Sequence, residues 1–192
     1  MNREEAWTIV TEYTASDSLR KHMLAVEASL RAYAPRFNGD PDGWGVVGLL
    51  HDFDYERYPD VAAQGHPVMG SQILRERGVS EDIIRAILSH ATEVTGVERI
   101  SDLEKALYAV DELTGLITAT ALVRPNKNIA DVKIASVKKK WKDRAFAAAV
   151  DRTEIEHAAA ALGVPLDEHI GVVLQAMQAI APTLGLDGTL VK

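Results

Sequence analysis

The chain has 192 residues, 47% of them hydrophobic and 26% charged, which is the balance of a globular protein large enough to bury a core. It contains no cysteine, which excludes disulfides, thiolate zinc sites, iron–sulfur clusters and a cysteine nucleophile, so any metal must be held by imidazole and oxygen ligands. A net charge of −7 argues against general affinity for nucleic acid.

The first residues predict two helices. Asn2 can cap a helix that runs to about Tyr13. Residues 14–17 are a turn-and-cap signal for a second helix over roughly residues 18–34, after which Pro35 ends it. His22 lies beside the apolar stripe of this second helix and should therefore face the core or its rim.

An apolar run is the feature around which the chain is organised. Residues 38–43 are rich in turn formers and predict a loop. The apolar helix of residues 44–50 follows and carries His51 and Asp52 into the interior. Residues 53–65 are polar and predict a loop over this point.

Two further helices are predicted before residue 91. Pro67 should be the first helical residue of one, with His66 at or near its cap, and Gly78 should end it. Ser80 is expected to cap the other, and His90 lies at its C-terminal end.

A capping-box pattern marks the longest predicted helix. Ser101 and Glu104 are spaced as in such a box, and the apolar period continues to about Val123. Asp111 lies within this helix, next to a predicted core position.

The C-terminal part predicts helices as well. Thr153 and Glu156 form a second capping-box pattern, followed by helices over about residues 154–162 and 167–180. The chain has no run in which apolar and polar residues alternate as in a β-strand, so we predict an all-α fold.

We predict a helical domain over residues 1–123 and a C-terminal helical extension over residues 124–192. Eight Lys or Arg residues against two Asp give residues 124–144 a net charge of +6. This segment predicts a contact with a small anionic ligand or with another copy of the chain. The alternative, at Lys138–Lys140 above all, is a solvated helix face.

Two polar groups entering the interior together need a partner. Burying the His51 imidazole and the Asp52 carboxylate unpaired would cost several kcal/mol, and a metal ion suits both. The alternative is a buried polar network without metal. His66 could likewise be only a helix cap, and His90 could complement a helix dipole.

Six residues follow one another in a recognisable order: His22, His51, Asp52, His66, His90 and Asp111. This order resembles the H…HD…H…H…D signature of the HD-domain superfamily of metal-dependent phosphohydrolases, in the subset that binds two metals. The resemblance covers roughly residues 16–115. It implies a single HD-domain helical bundle.

The resemblance also implies a ligand arrangement. Asp52 would bridge two ions, with His22, His51 and Asp111 on the first ion and His66 and His90 on the second. Imidazole and carboxylate suit Fe, Mn, Co, Ni or Zn without selecting among them. Two such ions can hold a bridging hydroxide and clamp a phosphoryl oxygen, so the expected substrate is a small phosphorylated compound, for example a nucleotide.

One departure from the family pattern concerns the residues after the doublet His51–Asp52. Many members have a lysine there that contacts phosphate, whereas this chain has Phe-Asp-Tyr-Glu at residues 53–56. Asp54 is then either an additional acid/base group beside Asp52 or a structural group. The missing positive charge could come from any of five cations: Arg20, Lys21, Lys105, Arg124 and Lys127. For Arg20 and Lys21, the alternative is solvent or an acidic neighbour.

Three functions remain open at this point. The first is the hydrolase. The second is a mixed-valence di-iron oxygenase, which the same ligands would also suit and which requires iron. The third is a non-catalytic sensor. The sequence has no apolar signal core and no membrane-spanning run, so we expect a cytoplasmic protein that binds neither membrane nor nucleic acid stably and that can form a homo-oligomer.

Overall fold

The structure, a computed structural model, describes residues 1–61 and 64–189. These residues contain helices, one isolated β-bridge between Asn128 and Asp187, and no strand, which confirms the predicted all-α fold. The helices in this part of the chain are α1 (Arg3–Tyr13), α2 (Asp17–Tyr33), α3 (Pro41–Leu50), α4 (Val68–Glu76), α5 (Glu81–Ser89), α6 (Thr92–Thr95), α7 (Asp102–Leu122), α8 (Ile134–Trp141), α9 (Arg152–Ala161), α10 (Leu166–Ala179) and α11 (Ala181–Leu184). None of them has the length and apolar character needed to span a bilayer.

Reciprocal capping fixes two of the predicted helix starts. Asn2 Oδ1 accepts from the N–H of Glu5 at 2.9 Å, and Glu5 Oε2 accepts from the N–H of Asn2 at 2.8 Å. Ser101 and Glu104 make the same pair of bonds at the start of α7. Because the first N–H groups of a helix lack partners within it, these side chains determine where α1 and α7 begin.

Two predicted boundaries in the first half are wrong by a few residues. The predicted loop of residues 38–43 already contains the start of α3, because the Asp40 carboxylate accepts from the N–H groups of Asp42 and Gly43. Pro67 is the N-cap of α4 and not its first helical residue.

The capping box predicted from Thr153 and Glu156 is also wrong. Asp151 caps α9 instead, accepting from the N–H groups of Thr153 and Glu154, and the helix starts at Arg152. Four-residue helices such as α6 and α11 were not predicted, because so short a segment shows no helical period.

The structure divides into two compact units, Met1–Tyr108 and Ala109–Lys192, and the predicted domain boundary between residues 123 and 124 stays a prediction. In the first unit α2 packs along α3, and the two backbones meet at Gly48. A Cβ atom on Gly48 would lie 2.8 Å from Cα and N of Glu27, closer than real Cβ atoms approach. The missing side chain therefore sets the separation of α2 and α3.

In the second unit α10 packs against α8, α9 and α11. Two cations of the basic segment have partners within the chain: Lys138 Nζ lies 2.7 Å from a carboxylate oxygen of Asp167, and Lys140 lies over the ring of Phe146. The role predicted for this segment in binding a ligand or another copy stays a prediction.

His169 is fully buried in the second unit, although no pattern in the sequence indicates this. Its Nε2 donates to the carbonyl oxygen of Ala109 at 2.8 Å. Burial lowers the pKa of His169 to about 4, and the bond to Ala109 offsets only part of this effect. The ring is therefore neutral near neutral pH.

We expect Gly48→Ala to lower the free energy of unfolding by about 1–3 kcal/mol, because the added methyl group overpacks the contact between α2 and α3. The control is Gly171→Ala in α10, where a Cβ would meet only Ile134 Cδ1, at 3.4 Å, and where alanine favours the helix. Urea unfolding followed by circular dichroism measures both. Equal stability of the two variants would contradict the packing argument.

His169 should make the protein less stable in mild acid. Its pKa is about 4 in the folded state and about 6.5 in the unfolded chain, so between these values the unfolded state binds more protons. The stability contributed by the neutral ring is present above about pH 6.5 and is lost as the pH falls towards 4. At that pH the loss in the free energy of unfolding reaches about 3 kcal/mol.

The measurement is urea unfolding of the wild type and of His169→Gln across this pH range. The test is the difference between the two proteins, which should shrink as the pH falls. His157→Gln, at an exposed position of α9, serves as the control. A difference that does not vary with pH would contradict the assignment.

Candidate metal centre

Four imidazole nitrogens converge in two pairs within the first unit. His22 Nε2 lies 3.2 Å from His51 Nε2, and His66 Nε2 lies 3.1 Å from His90 Nε2. The histidines of each pair are 29 and 24 residues apart in the chain, so the fold and not the local sequence brings them together.

Asp52 lies between the two pairs and presents one carboxylate oxygen to each. Its Oδ2 is 3.6 Å from Nε2 of both His22 and His51. Its Oδ1 is 3.2 Å from His66 Nε2 and 3.8 Å from His90 Nε2. Among the described residues, His22, His51 and Asp52 form one group that could hold a metal ion, and Asp52, His66 and His90 form another.

Each ligand candidate is placed by the end or face of a helix. His22 projects from α2, and His51 is the C-cap of α3, three residues after Gly48. Asp52 follows in the turn after α3. His66 lies just before α4, and His90 is the C-cap of α5.

The second ring nitrogen of three of these histidines is held by an acceptor. His51 Nδ1 donates to the carbonyl oxygen of Gly48 at 2.8 Å, and His90 Nδ1 donates to that of Ile87. His66 Nδ1 donates to Asp54 Oδ1 at 2.7 Å. These oxygens can only accept a hydrogen bond, so Nδ1 carries the hydrogen in all three rings. When such a ring is neutral, its Nε2 has no hydrogen and directs a lone pair towards Asp52.

Lone pairs that face one another and a carboxylate oxygen repel each other unless a cation lies among them. A divalent ion meets this requirement, and imidazole nitrogen with carboxylate oxygen is a donor set of first-row transition metals. The outward hydrogen bonds of the rings are the usual second layer of such sites. The donor set and its geometry therefore fit a metal centre.

The turn that follows α3 is anchored to the corner between α1 and α2. Thr14 Oγ1 donates to the carbonyl oxygen of Phe53 at 2.8 Å. One carboxylate oxygen of Glu56 accepts from the N–H groups of Ala15 and Ser16 at 2.9 and 2.8 Å. Arg57 lies over the ring of Tyr13. These contacts hold the doublet in place from its C-terminal side.

Exposure identifies the open side of the cluster. The His51 side chain is fully buried and those of His66 and His90 are 6% and 8% exposed, whereas Asp52 and His22 are 17% and 24% exposed. Solvent and any substrate therefore reach the cluster from the side of His22 and Asp52.

Asp54, one of the two residues predicted to be catalytic, lies behind His66. It is only 1% exposed, and its Oδ2 accepts from the N–H of Gly70 at 2.7 Å. Of the two roles predicted for Asp54, this position favours the structural one. The next residue, Tyr55, is 43% exposed and meets the ring of His66 edge to face.

The cations predicted to contact substrate have local partners at several positions. Arg20 donates to the carbonyl oxygens of Thr14 and Thr11 at the end of α1, and Lys21 pairs with Asp17 at 2.8 Å. Lys21 therefore has the acidic neighbour of its alternative reading, whereas Arg20 has backbone partners. Substrate contact by either residue stays a prediction.

Three further cations were predicted to contact substrate. Lys105 is half-buried on α7. In the second unit, Arg124 donates to the carbonyl oxygen of Asp131 at 2.7 Å, and Lys127 occupies a turn with φ of 49°. Substrate contact by these residues stays a prediction.

Asp111, the last predicted ligand, belongs to the part of α7 assigned to the second unit. It is half-buried, and its carbonyl oxygen accepts from Thr114 Oγ1 at 2.8 Å. Its role as a ligand stays a prediction based on the sequence resemblance.

The sequence alone does not identify the residues that support the cluster, above all Gly70, Glu56 and Thr14. None of them belongs to a recognisable motif, and their partners are 16, 41 and 39 residues away. The glycine at position 70 is the only one of the three with a local signal, since a glycine inside a helical pattern indicates a close approach.

The model of the HD domain family matches residues 19–116, which is just over half of the chain and runs from α2 into α7. The matched segment contains all six predicted ligands. No solved structure matches the chain.

We expect Asp52→Ala to weaken both metal-binding groups, because Asp52 is common to them, and His22→Ala to weaken only one. Metal content per chain, measured by elemental analysis after dialysis against a defined metal solution, reads this out, and circular dichroism checks that the helices persist. His157→Ala, at an exposed position, is the control. Unchanged metal content in both site variants would rule out the centre.

Proposed function

The chain belongs to the HD domain family, whose members are typically metal-dependent hydrolases, and from this membership we propose that it is a metal-dependent phosphohydrolase acting on a small phosphorylated compound. The observation that carries the proposal is the convergence of four histidine Nε2 atoms, in two pairs, on the two oxygens of Asp52. A carboxylate placed between two imidazole pairs is the arrangement expected of a ligand shared by two ions.

In this proposal Asp52 is the shared ligand, His22 and His51 serve the side of Oδ2, and His66 and His90 serve the side of Oδ1. Mn, Fe, Co, Ni and Zn all suit these donors. When bound, two such ions supply a water of lowered pKa as the nucleophile and positive charge opposite the phosphoryl oxygens.

The chain's own groups orient the reaction. Asp52 and His22 form the exposed side of the cluster, so a phosphoryl group approaches there, while the fully buried His51 is shielded from solvent. Tyr55 offers an exposed ring beside His66 that can pack against the organic part of a substrate. Arg20 and Lys21 are engaged locally, so in this proposal the metal ions balance much of the phosphate charge, with the other predicted cations as further candidates.

A small substrate fits the overall charge better than a nucleic acid. The net charge of −7 opposes sequence-independent binding to a phosphate backbone, which requires many Lys and Arg contacts. A nucleotide or another compact phosphate ester needs only the cluster and its rim. We therefore propose a phosphomonoester, a phosphodiester or a phosphoanhydride as the bond that is cleaved.

The test is phosphate release by protein of known metal content. Elemental analysis first gives the metal per chain, and a panel of aryl phosphates, aryl phosphodiesters and nucleotides is then screened with the protein loaded with Mn, Co, Ni or Zn. We expect Asp52→Asn to reduce kcat/KM by more than about 100-fold, as for loss of a group that stabilises transition-state charge. His157→Asn should leave the rate unchanged.

Other outcomes would overturn the proposal. Two equivalents of iron with oxygen consumption, and no phosphate release, would identify the oxygenase. Metal-loaded protein that releases phosphate from none of the substrate classes and consumes no oxygen would favour the sensor.

A further inference from the structure

We propose that Asp54 is a positioning residue that fixes the ring of His66, and through it the half of the metal centre formed by Asp52 Oδ1, His66 and His90. The proposal rests on the metal centre described under the proposed function, but it concerns a residue outside the ligand set. Asp54 is 1% exposed, so it does not contact a substrate that enters beside His22.

Both carboxylate oxygens of Asp54 are used inside the protein. Oδ1 accepts from His66 Nδ1 at 2.7 Å, and Oδ2 accepts from the N–H of Gly70 at 2.7 Å. The carboxylate therefore holds the hydrogen of His66 on Nδ1. The lone pair on Nε2 is left directed at Asp52 Oδ1, 3.2 Å away.

His66 needs this help because it lies outside a helix. His51 and His90 are helix C-caps, and each donates to a carbonyl oxygen three residues earlier in its own helix. His66 precedes α4, and among the described residues no helix ends at residue 65. Its acceptor comes instead from a side chain twelve residues earlier in the chain.

Gly70 explains why Asp54 stays in position. It is the third residue of α4, so its N–H is among the first amides of the helix, which lack acceptors within it, and Pro67 at the N-cap supplies no side chain to accept them. The Asp54 carboxylate occupies this place, where the helix dipole favours a negative charge. A Cβ on Gly70 would lie 2.7 Å from the carboxylate, so only glycine allows the approach.

Asparagine cannot replace Asp54, although it has the same shape. The site needs two acceptors, and an amide offers one acceptor and one donor. If the amide oxygen faces His66, the NH₂ group meets the N–H of Gly70. If the amide is turned over, His66 must move its hydrogen to Nε2, and the ring then presents N–H where a ligand needs a lone pair.

Metal binding to Asp54→Asn tests the proposal. We expect this variant to keep the site of His22 and His51 and to bind the second ion 10- to 100-fold more weakly, the usual effect of removing such a partner of a ligand. Titration with Co²⁺, followed by its visible absorption and by elemental analysis, measures this. Asp82→Asn, which removes an exposed carboxylate from the first turn of α5, is the matched control.

A second variant reaches the same group without changing any titratable residue. Gly70→Ala pushes the Asp54 carboxylate away from α4 and should likewise weaken the second ion. If Asp54→Asn fails to fold, as judged by circular dichroism, Gly70→Ala gives the answer.

The tautomer of His66 provides a readout that needs no metal. Long-range ¹H–¹⁵N spectra of the metal-free wild type should show hydrogen on Nδ1, and the Asp54→Asn spectrum should show a changed state of this ring alone. Absence of metal from the wild type together with this change would refute the proposed function and keep the role of Asp54. Two ions bound at wild-type affinity and an unchanged His66 spectrum in Asp54→Asn would overturn the inference.

Discussion

The Nε2 lone pairs of His51, His66 and His90 meet the Asp52 carboxylate, and their mutual repulsion is the constraint on which the first unit depends. Nε2 of His51 lies 3.2 Å from that of His22, Nε2 of His66 lies 3.1 Å from that of His90, and the carboxylate lies between the two pairs. A cation among these groups would relieve the repulsion. The rest of the unit holds the groups in place.

Three kinds of contact hold the histidines and Asp52 in place. The bare backbone of Gly48 lets α2 and α3 approach, which sets the distance from His22 to His51. The corner between α1 and α2 holds the turn after the doublet through Glu56. Asp54 connects His66 to the start of α4. Each contact acts at a different element, so the cluster depends on the packing of the whole unit.

The sequence predicted most of the helices, because their caps and apolar periods are local signals. Capping residues such as Asn2 and Ser101 act within three positions, and the doublet follows its apolar helix directly. Position within the fold was harder to predict. His169 shows no sequence pattern that distinguishes it from His157, yet it is buried, and its Nε2 donates to the carbonyl oxygen of a residue 60 positions away. The role of Asp54 was left open for the same reason, since Gly70 and His66 are distant in the chain.

The separation of the ligand positions along the chain has a consequence for stability. The paired histidines are 29 and 24 residues apart, so in polymer terms an ion bound by a pair would be a cross-link that closes a long loop. Part of its binding free energy would then be folding free energy, because the unfolded chain offers no preformed site. In the proposed metal centre, metal supply would thus govern the lifetime of the folded protein, and a cell short of metal would hold fewer copies of it.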